Sequence, residues 1–432
     1  MRVRLRSLAV DMGALRESKP YRRLWLGQLI SLVGRQITTV AVPYQVYLLT
    51  GSAFAVGAIG LAQAVPLITM SLWAGVIADR VDRRKILLVT QVGLAACSVL
   101  LALGALMGRP PLVAIYLVVA LAATFSAVDA PVRTAIIPNL VRPQRLTGAL
   151  SMNMAMFEVA LIAGPAVGGV VIAHFGLATA YAIDVATFAS ALIAVALLPP
   201  QRPKATQHEP QVVALRRGLQ FARRQPVILG GFAMDLSAMI FGLPRALFPV
   251  LAATTFHTNV QGLGLLYAAP GAGAAIAALT TGWISRASRL GRVIVVTIAL
   301  WGASIIAFGF ATSLWVALAL LVVAGAADSL SAVCRTTIMQ TIAPDELRGR
   351  LTSVYFMVVV GGPYLGDMEA GAVASATTAQ ISVVSGGVLC IAGLAVAALA
   401  FPAVWRYAAR SPAAVSAETL PAVAADRPDL MV

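Results

Sequence analysis

RTAIIPNLVRPQRLTGALS at 133–151 and RTTIMQTIAPDELRGRLTS at 335–353 echo each other. Each leaves one apolar run and enters another that carries an internal Gly-Pro: GPAVGG at 164–169 and GPYLGD at 362–367. The chain therefore reads as two parallel copies of one unit. Outward from these stretches, apolar runs and their breaks mark twelve helices. They fall at 23–49, 53–78, 86–107, 112–137, 147–173 and 177–198, then at 225–252, 262–285, 292–311, 313–336, 351–374 and 380–404. The breaks are short, as at Thr50-Gly51-Ser52, Gly108-Arg109-Pro110-Pro111 and Gly176. A helix of roughly 20 mostly apolar residues crosses a bilayer, and these runs have that length. Barrels are excluded, because their signal is alternation over about ten residues.

Composition agrees. Of 432 residues, 59% are hydrophobic and 11% charged, against about half and a quarter in a soluble protein. So much apolar surface excludes both a soluble globule and a disordered chain. The expected organisation is an N-terminal segment 1–22, a six-helix bundle 23–198, a polar linker 199–224, a second six-helix bundle 225–404 and a disordered tail 405–432.

The net charge is +15. Of the 32 Lys and Arg, 27 fall in the termini and the even-numbered loops, while the opposite loops hold only Arg109. Arg35, Arg133, Arg245 and Arg335 lie within or at the ends of spans. This bias predicts cytoplasmic termini and removes nucleic acid as a partner, because the cations serve topology. The basic N-terminus lacks an uninterrupted apolar core, so no cleaved signal peptide is expected. Cys97, Cys334 and Cys390 are too few and too dispersed for a disulfide framework.

Between spans 2 and 3 the sequence reads Gly75-Val76-Ile77-Ala78-Asp79-Arg80-Val81-Asp82-Arg83-Arg84. It resembles the signature loop of the major facilitator superfamily, except that the family usually has Gly where Asp82 stands. Gly75 permits close helix approach, and Asp79 can accept hydrogen bonds from arginines or a helix N-terminus. Asp129 and Arg133, four apart on span 4, can pair on one face. Gly75, Asp79, Arg80, Arg83, Arg84, Asp129 and Arg133 are thus the expected conformational latch. A plain topology loop and a static ion pair are the alternative. The matching loop of the second half, Gly282 to Arg292, lacks the Asp.

Gly164, Pro165, Gly168 and Gly169 in span 5 resemble the Gly-Pro motif of exporters in this superfamily. Gly164 and Gly168 share a face, Pro165 can kink the span, and a packing hinge is expected. GGFAMDLSAMIFGLPRALFPV at 230–250, GPYLGDMEAG at 362–371 and YRRLWLGQLISLVG at 21–34 are similar to the branch that holds the enterobactin (siderophore) exporters and multidrug efflux proteins. The resemblance runs to about residue 405. It implies a two-bundle, all-α membrane fold and proton-driven export of a small molecule across a bacterial cytoplasmic (inner) membrane; a single copy, embedded in lipid, holds a complete two-bundle unit, so a monomer is expected.

Ionisable groups inside spans are functional candidates by default. A carboxyl group held away from water favours its neutral form, which suits proton coupling. Glu158 in span 5, Asp235 and Arg245 in span 7, and Asp367 and Glu369 in span 11 are proton or substrate candidates. Arg35 in span 1 can hold an anionic substrate or tune a carboxylate. Asp235 and Arg245 are ten residues apart, too far to pair, so each needs another partner. Asp328 and Arg335 lie on one face of span 10. Asp184 is expected near the outer end of span 6, within reach of water. No lysine is followed by Ser or Thr, which excludes a P-loop, and the three histidines lack metal-ligand spacing. Neither an enzyme nor a cofactor is expected. Import of a metabolite, and a non-transporting sensor or scaffold, remain as alternatives to export.

Overall fold

The computed structural model describes residues 12–202, 211–281, 284, 287 and 289–408. Among the described residues the regular structure is helical, without strands. Among the described residues nine helical stretches are long and apolar enough to cross a bilayer. One of them includes Leu146–Ala196 and reverses at Gly176, whose φ of 81° and ψ of 175° belong to a region that essentially only glycine enters. It supplies spans 5 and 6, residues 146–175 and 177–196. Lys19–Thr50 and Asp345–Ala376 carry more ionisable groups but have 32 residues each, and they form spans 1 and 11. Among the described residues the helices thus make twelve lengths fit to span. The others are span 2 (Ala53–Arg80), span 3 (Arg83–Leu106), span 4 (Leu112–Leu140), span 8 (Val260–Thr280), span 9 (Leu290–Phe310), span 10 (Leu314–Ile342) and span 12 (Ala379–Ala400), with span 7 described below.

The short polar breaks are helix caps. Ser18, Ser52, Asp82, Asn259 and Thr378 accept backbone N–H bonds at the starts of spans 1, 2, 3, 8 and 12. Such residues satisfy the donors that every helix start leaves unpaired. Gly51, with φ of 61°, closes span 1 in the left-handed region. Asp82, the departure from the superfamily pattern, also accepts the Gln201 backbone N–H at 3.1 Å.

Spans 1–6 pack on one another, as do spans 7–12, and two seams join the sets: span 2 against span 11, and span 5 against span 8. Both seams are backbone contacts. A methyl group placed on Gly57 would stand 2.9 Å from the Gly371 Cα, and one placed on Gly169 would stand 3.1 Å from the Gly264 Cα. Small residues let membrane helices approach this closely, where van der Waals packing and not water drives association. These contacts lie in the half of the spans next to the Gly51 and Gly176 turns. That end is called the turn end here, and the other, which carries the cationic loops, the basic end.

Span 7 departs from the continuous helix expected over 225–252. It runs as Pro226–Phe241, breaks at Gly242-Leu243-Pro244, and resumes as a 3-10 turn Arg245–Leu247 and a helix Phe248–Thr254. Pro244 has no N–H to donate. Backbone groups freed at membrane depth must be satisfied by protein. Trp301 Nε1 donates to the Gly242 carbonyl at 2.8 Å, Tyr267 Oη to the Arg245 carbonyl at 3.1 Å, and the Ala246 N–H to Asp367 Oδ1 at 3.1 Å.

The polar linker expected at 199–224 contains a helix, Gln211–Arg224. Its Ala222 joins Ile228, Met339, Ala343 and Leu351 in a small apolar core. The expected N-terminal segment 1–22 likewise holds a helix at Gly13–Glu17, and span 1 begins at Lys19. Residues 1–11, 203–210 and 409–432, which include most of the expected disordered tail, lie outside the described residues.

Trp301→Phe keeps the buried ring and removes only the donor to Gly242. The orphaned carbonyl is expected to destabilise the protein by about 1–3 kcal/mol, read as a lower Tm in detergent. An unchanged Tm would show that the break in span 7 is satisfied by other groups.

Candidate functional site

The expected latch residues form two groups. Arg83 Nη1 donates to the Ala135 carbonyl of span 4 at 3.0 Å, and Arg84 Nη2 to the Ala196 carbonyl of span 6 at 2.5 Å. Carbonyls at helix C-termini carry negative dipole ends, which cations answer. Arg80 is exposed at the end of span 2, where Gly75 also lies; the side chain of Asp79 lies outside the described residues, as do Gly282, Trp283, Ser285 and Arg286 of the second-half loop. Asp129 and Arg133 form the second group. Arg133 Nη2 lies 2.8 Å from Asp129 Oδ2, and the pair is 2–5% exposed. Thr90 and Gln91 of span 3 complete it, donating to Asp129 Oδ1 at 2.9 and 2.7 Å. Those two partners were not legible in the sequence, although polar residues in an apolar run signal that something must be bonded.

Asp184 overturns its expected exposure. It is 1% exposed and enclosed by spans 1, 3 and 6. Thr38 and Ser98 donate to its Oδ2 at 2.8 and 2.7 Å, while Oδ1 has no hydrogen-bond partner. The shortness of the Gly176 turn made this acid look closer to water than it is: eight residues of helix, about 12 Å, separate the two.

In the second half, Asp235 of span 7 is fully buried and Arg335 of span 10 is 5% exposed. Arg335 Nη2 stands 2.8 Å from Asp235 Oδ1 and 3.7 Å from Asp328 Oδ1. Neither contact is aligned as a hydrogen bond, so both are charge contacts. The aligned bond of Arg335 runs from Nη1 to Ser331 Oγ at 2.8 Å.

Arg245, at the break in span 7, finds Asp367 of span 11: Nη2 to Oδ2 is 3.3 Å. Its guanidinium also lies 5.9 Å from the Tyr364 ring centroid, in cation–π range. Span 2 touches the same place, because a methyl on Gly60 would stand 2.9 Å from the Asp367 Cβ. Three spans thus converge on one ion pair in the span 2–span 11 seam. Glu369, two residues nearer the turn end, is half-buried.

The span 5 glycines divide their work. Gly168 lies against the Ile37 Cα of span 1 and Gly164 against the Gln36 side chain, whereas Gly169 faces Val260 and Gly264 of span 8. Pro165 is buried between them. Midway along span 5, Glu158 is half-buried, and among the described residues its Oε2 has no hydrogen-bond partner.

Two six-helix bundles joined at two glycine seams, with ionisable groups between them, form the scaffold of a membrane transporter. A family described as transmembrane secretion effector has a sequence pattern that matches residues 12–428. The chain belongs to that family. Among curated relatives of this secretion-effector chain, the enterobactin exporter of Citrobacter koseri is 28% identical over 394 residues, covering 90% of this chain and 93% of the relative. The enterobactin exporter of Salmonella typhi is 29% identical over 398 residues, covering 90% and 94%. Solved structures share the fold at low identity. A nucleoside transporter superposes with a TM-score of 0.72 at 15% identity, covering 90% of this chain and all of the other. A bacterial homologue of the human lysosomal transporter Spinster, inward-facing and unoccupied, gives 0.71 at 16%, covering 90% and 99%. The chain is a major facilitator transporter and not an enzyme.

Arg133→Met leaves the Asp129 charge buried beside neutral donors. Breaking a buried pair from one side costs about 3–5 kcal/mol, so a marked loss of Tm is expected. Adding Asp129→Asn should recover most of it. A double variant as unstable as the single one would show that packing, not charge, holds spans 3 and 4 together.

Proposed function

We propose that this secretion-effector protein exports a small amphipathic molecule, of the siderophore or drug-like kind, in exchange for protons entering the cell. The basic end is then cytoplasmic, both termini included, and the turn end faces outward. One chain carries both bundles and works as a monomer in lipid. The observation that carries the reading is geometric: the backbone seams between the bundles draw together at the turn end, around the Arg245–Asp367 pair. Toward the basic end, spans 2, 5 and 8 leave Trp73, Met154 and Leu279 60, 74 and 84% exposed. An outward seal of this kind suits loading from the cytoplasm. That relatives are named enterobactin exporters supports export as the direction and a siderophore as the kind of substrate.

Export requires the seal to open. Spans 2 and 11 part and spans 5 and 8 part as the chamber turns outward, while the Arg245–Asp367 pair, held between spans 7 and 11, stays with the second bundle. Gly164, Pro165, Gly168 and Gly169 act as the hinge on the span 5 side. The Asp79 loop and the Asp129–Arg133 pair act as the latch at the basic end. Glu158 carries the coupling proton. Among the described residues it has no cationic partner, so its charge changes without breaking an ion pair. Asp235 is held by Arg335 and serves the second bundle's integrity.

The test is uptake of enterobactin into inverted vesicles. Uptake is expected to follow an imposed pH gradient and to collapse with a protonophore. Glu158→Gln should abolish gradient-driven uptake while leaving downhill exchange. Uptake indifferent to the protonophore removes the proton-exchange reading; no uptake by a folded protein removes the siderophore.

A further inference from the structure

At the basic end a cavity of about 550 Å³ opens between the helix Gly13–Glu17, the start of span 1, the end of span 4 and the loop that leads to span 5. That volume falls within the roughly 300–1,000 Å³ of small-molecule sites. Its ionisable lining is Glu17, Lys19, Arg142 and Arg145. Glu17 and Arg145 hold each other, with Nη2 2.7 Å from Oε1. Lys19 and Arg142 are exposed, and among the described residues neither side chain has a carboxylate within 4.0 Å or donates a hydrogen bond. Ser18 and Asn139 line the same space, but Ser18 Oγ donates to the Leu140 carbonyl at 2.6 Å and Asn139 Nδ2 to Gln201 Oε1 at 3.2 Å.

Many of the other arginines are met from within the protein. Inside the spans, Arg133, Arg245 and Arg335 have acids, and Arg35, half-buried in span 1, has the Phe188 ring, its centroid 6.0 Å from Cζ. At the basic end, Arg83 and Arg84 donate to the Ala135 and Ala196 carbonyls, and Arg348 Nε donates to the Gln340 carbonyl at 3.2 Å. Arg292 lies 5.5 Å from the Trp405 ring centroid. Lys19 and Arg142 differ: they leave two unspent cations in one cavity whose acid is already paired. Arg16, Arg22 and Arg23 are also exposed close by in the chain and add to the positive field. Lys19 opens span 1, Leu140 closes span 4 and Leu146 opens span 5. The cavity therefore stands at the level of the lipid headgroups, where the hydrocarbon core gives way to water.

We propose that this cavity holds the headgroup of an anionic phospholipid. The lipid phosphate takes the Arg142 guanidinium as a planar fork and the Lys19 ammonium as a point charge. A headgroup without an ammonium of its own leaves both cations free to act on the phosphate. The occupant is a lipid because the cavity opens at the bilayer edge, where basic side chains meet anionic headgroups. A headgroup held there ties the N-terminal helix to the loop between spans 4 and 5. The site is independent of the cargo and of the direction of transport.

The test is native mass spectrometry of the full chain released from detergent, with phosphatidylglycerol and phosphatidylcholine of the same acyl chains as probes. Two cations at a membrane surface are worth more than about tenfold in affinity, so the first phosphatidylglycerol is expected to bind at least about tenfold more tightly than the first phosphatidylcholine. The double variant Lys19→Gln, Arg142→Gln should bring the two lipids to one level. The double variant Arg216→Gln, Arg223→Gln removes the same charge from the linker helix and should leave the preference intact. Tm and size-exclusion profiles check that both variants fold. Equal affinity for the two lipids on the unaltered chain overturns the proposal, and that comparison needs no variant. A preference that survives the loss of Lys19 and Arg142 also overturns it, as does one lost equally with Arg216 and Arg223, which marks diffuse surface charge. Glycerol 3-phosphate that displaces the lipid at equal concentration makes the ligand a soluble phosphate and removes the lipid as occupant.

Discussion

A charge carried into a bilayer has to be answered from within the protein, and that demand organises the interior of this transporter. The two halves meet it differently. Arg133 and Arg335 occupy matching places in the repeat, as do Asp129 and Ser331. In the first half the acid stands one turn away on the same helix, and span 3 adds neutral donors. In the second half that position holds only a serine hydroxyl, and the acid comes from span 7. One half closes its charge locally; the other ties two helices together to do so.

The same divergence appears at the seams. GPAVGG and GPYLGD align so that Gly169 corresponds to Asp367. Each preceding pair of glycines packs inside its own bundle, Gly164 and Gly168 on span 1 and Gly362 and Gly366 on span 7. The last position of each motif faces the other bundle. On one side that contact is glycine on glycine. On the other, Gly60 of span 2 meets an aspartate whose carboxylate is bound, within its own bundle, to Arg245 and to a backbone N–H freed by the break in span 7. A nearly symmetric frame thus has one plain seam and one charged seam.

Much of this frame was legible beforehand, because it rests on local properties. Run length, short capped breaks and the echo of 133–151 at 335–353 need no tertiary knowledge. The Asp129–Arg133 pair follows from helical spacing alone. The partners of Asp235 and Arg245 did not, since Arg335 and Asp367 are about a hundred residues away and only packing brings them near. The break in span 7 had its signal in Gly242-Leu243-Pro244, but apolar content masked it. Asp184 was misjudged for a related reason: distance from a turn says little about water when two neighbouring helices supply Thr38 and Ser98.

The reversal at Gly176 joins spans 5 and 6 through a single residue, with no slack between them. Span 5 forms one seam with the second bundle, and span 6 holds Asp184 against spans 1 and 3, so the helix at the seam and the helix at the heart of the first bundle are mechanically continuous. Tilting one drags the other, much as a bent wire turns at both ends when either is twisted. A longer connection would let them drift apart.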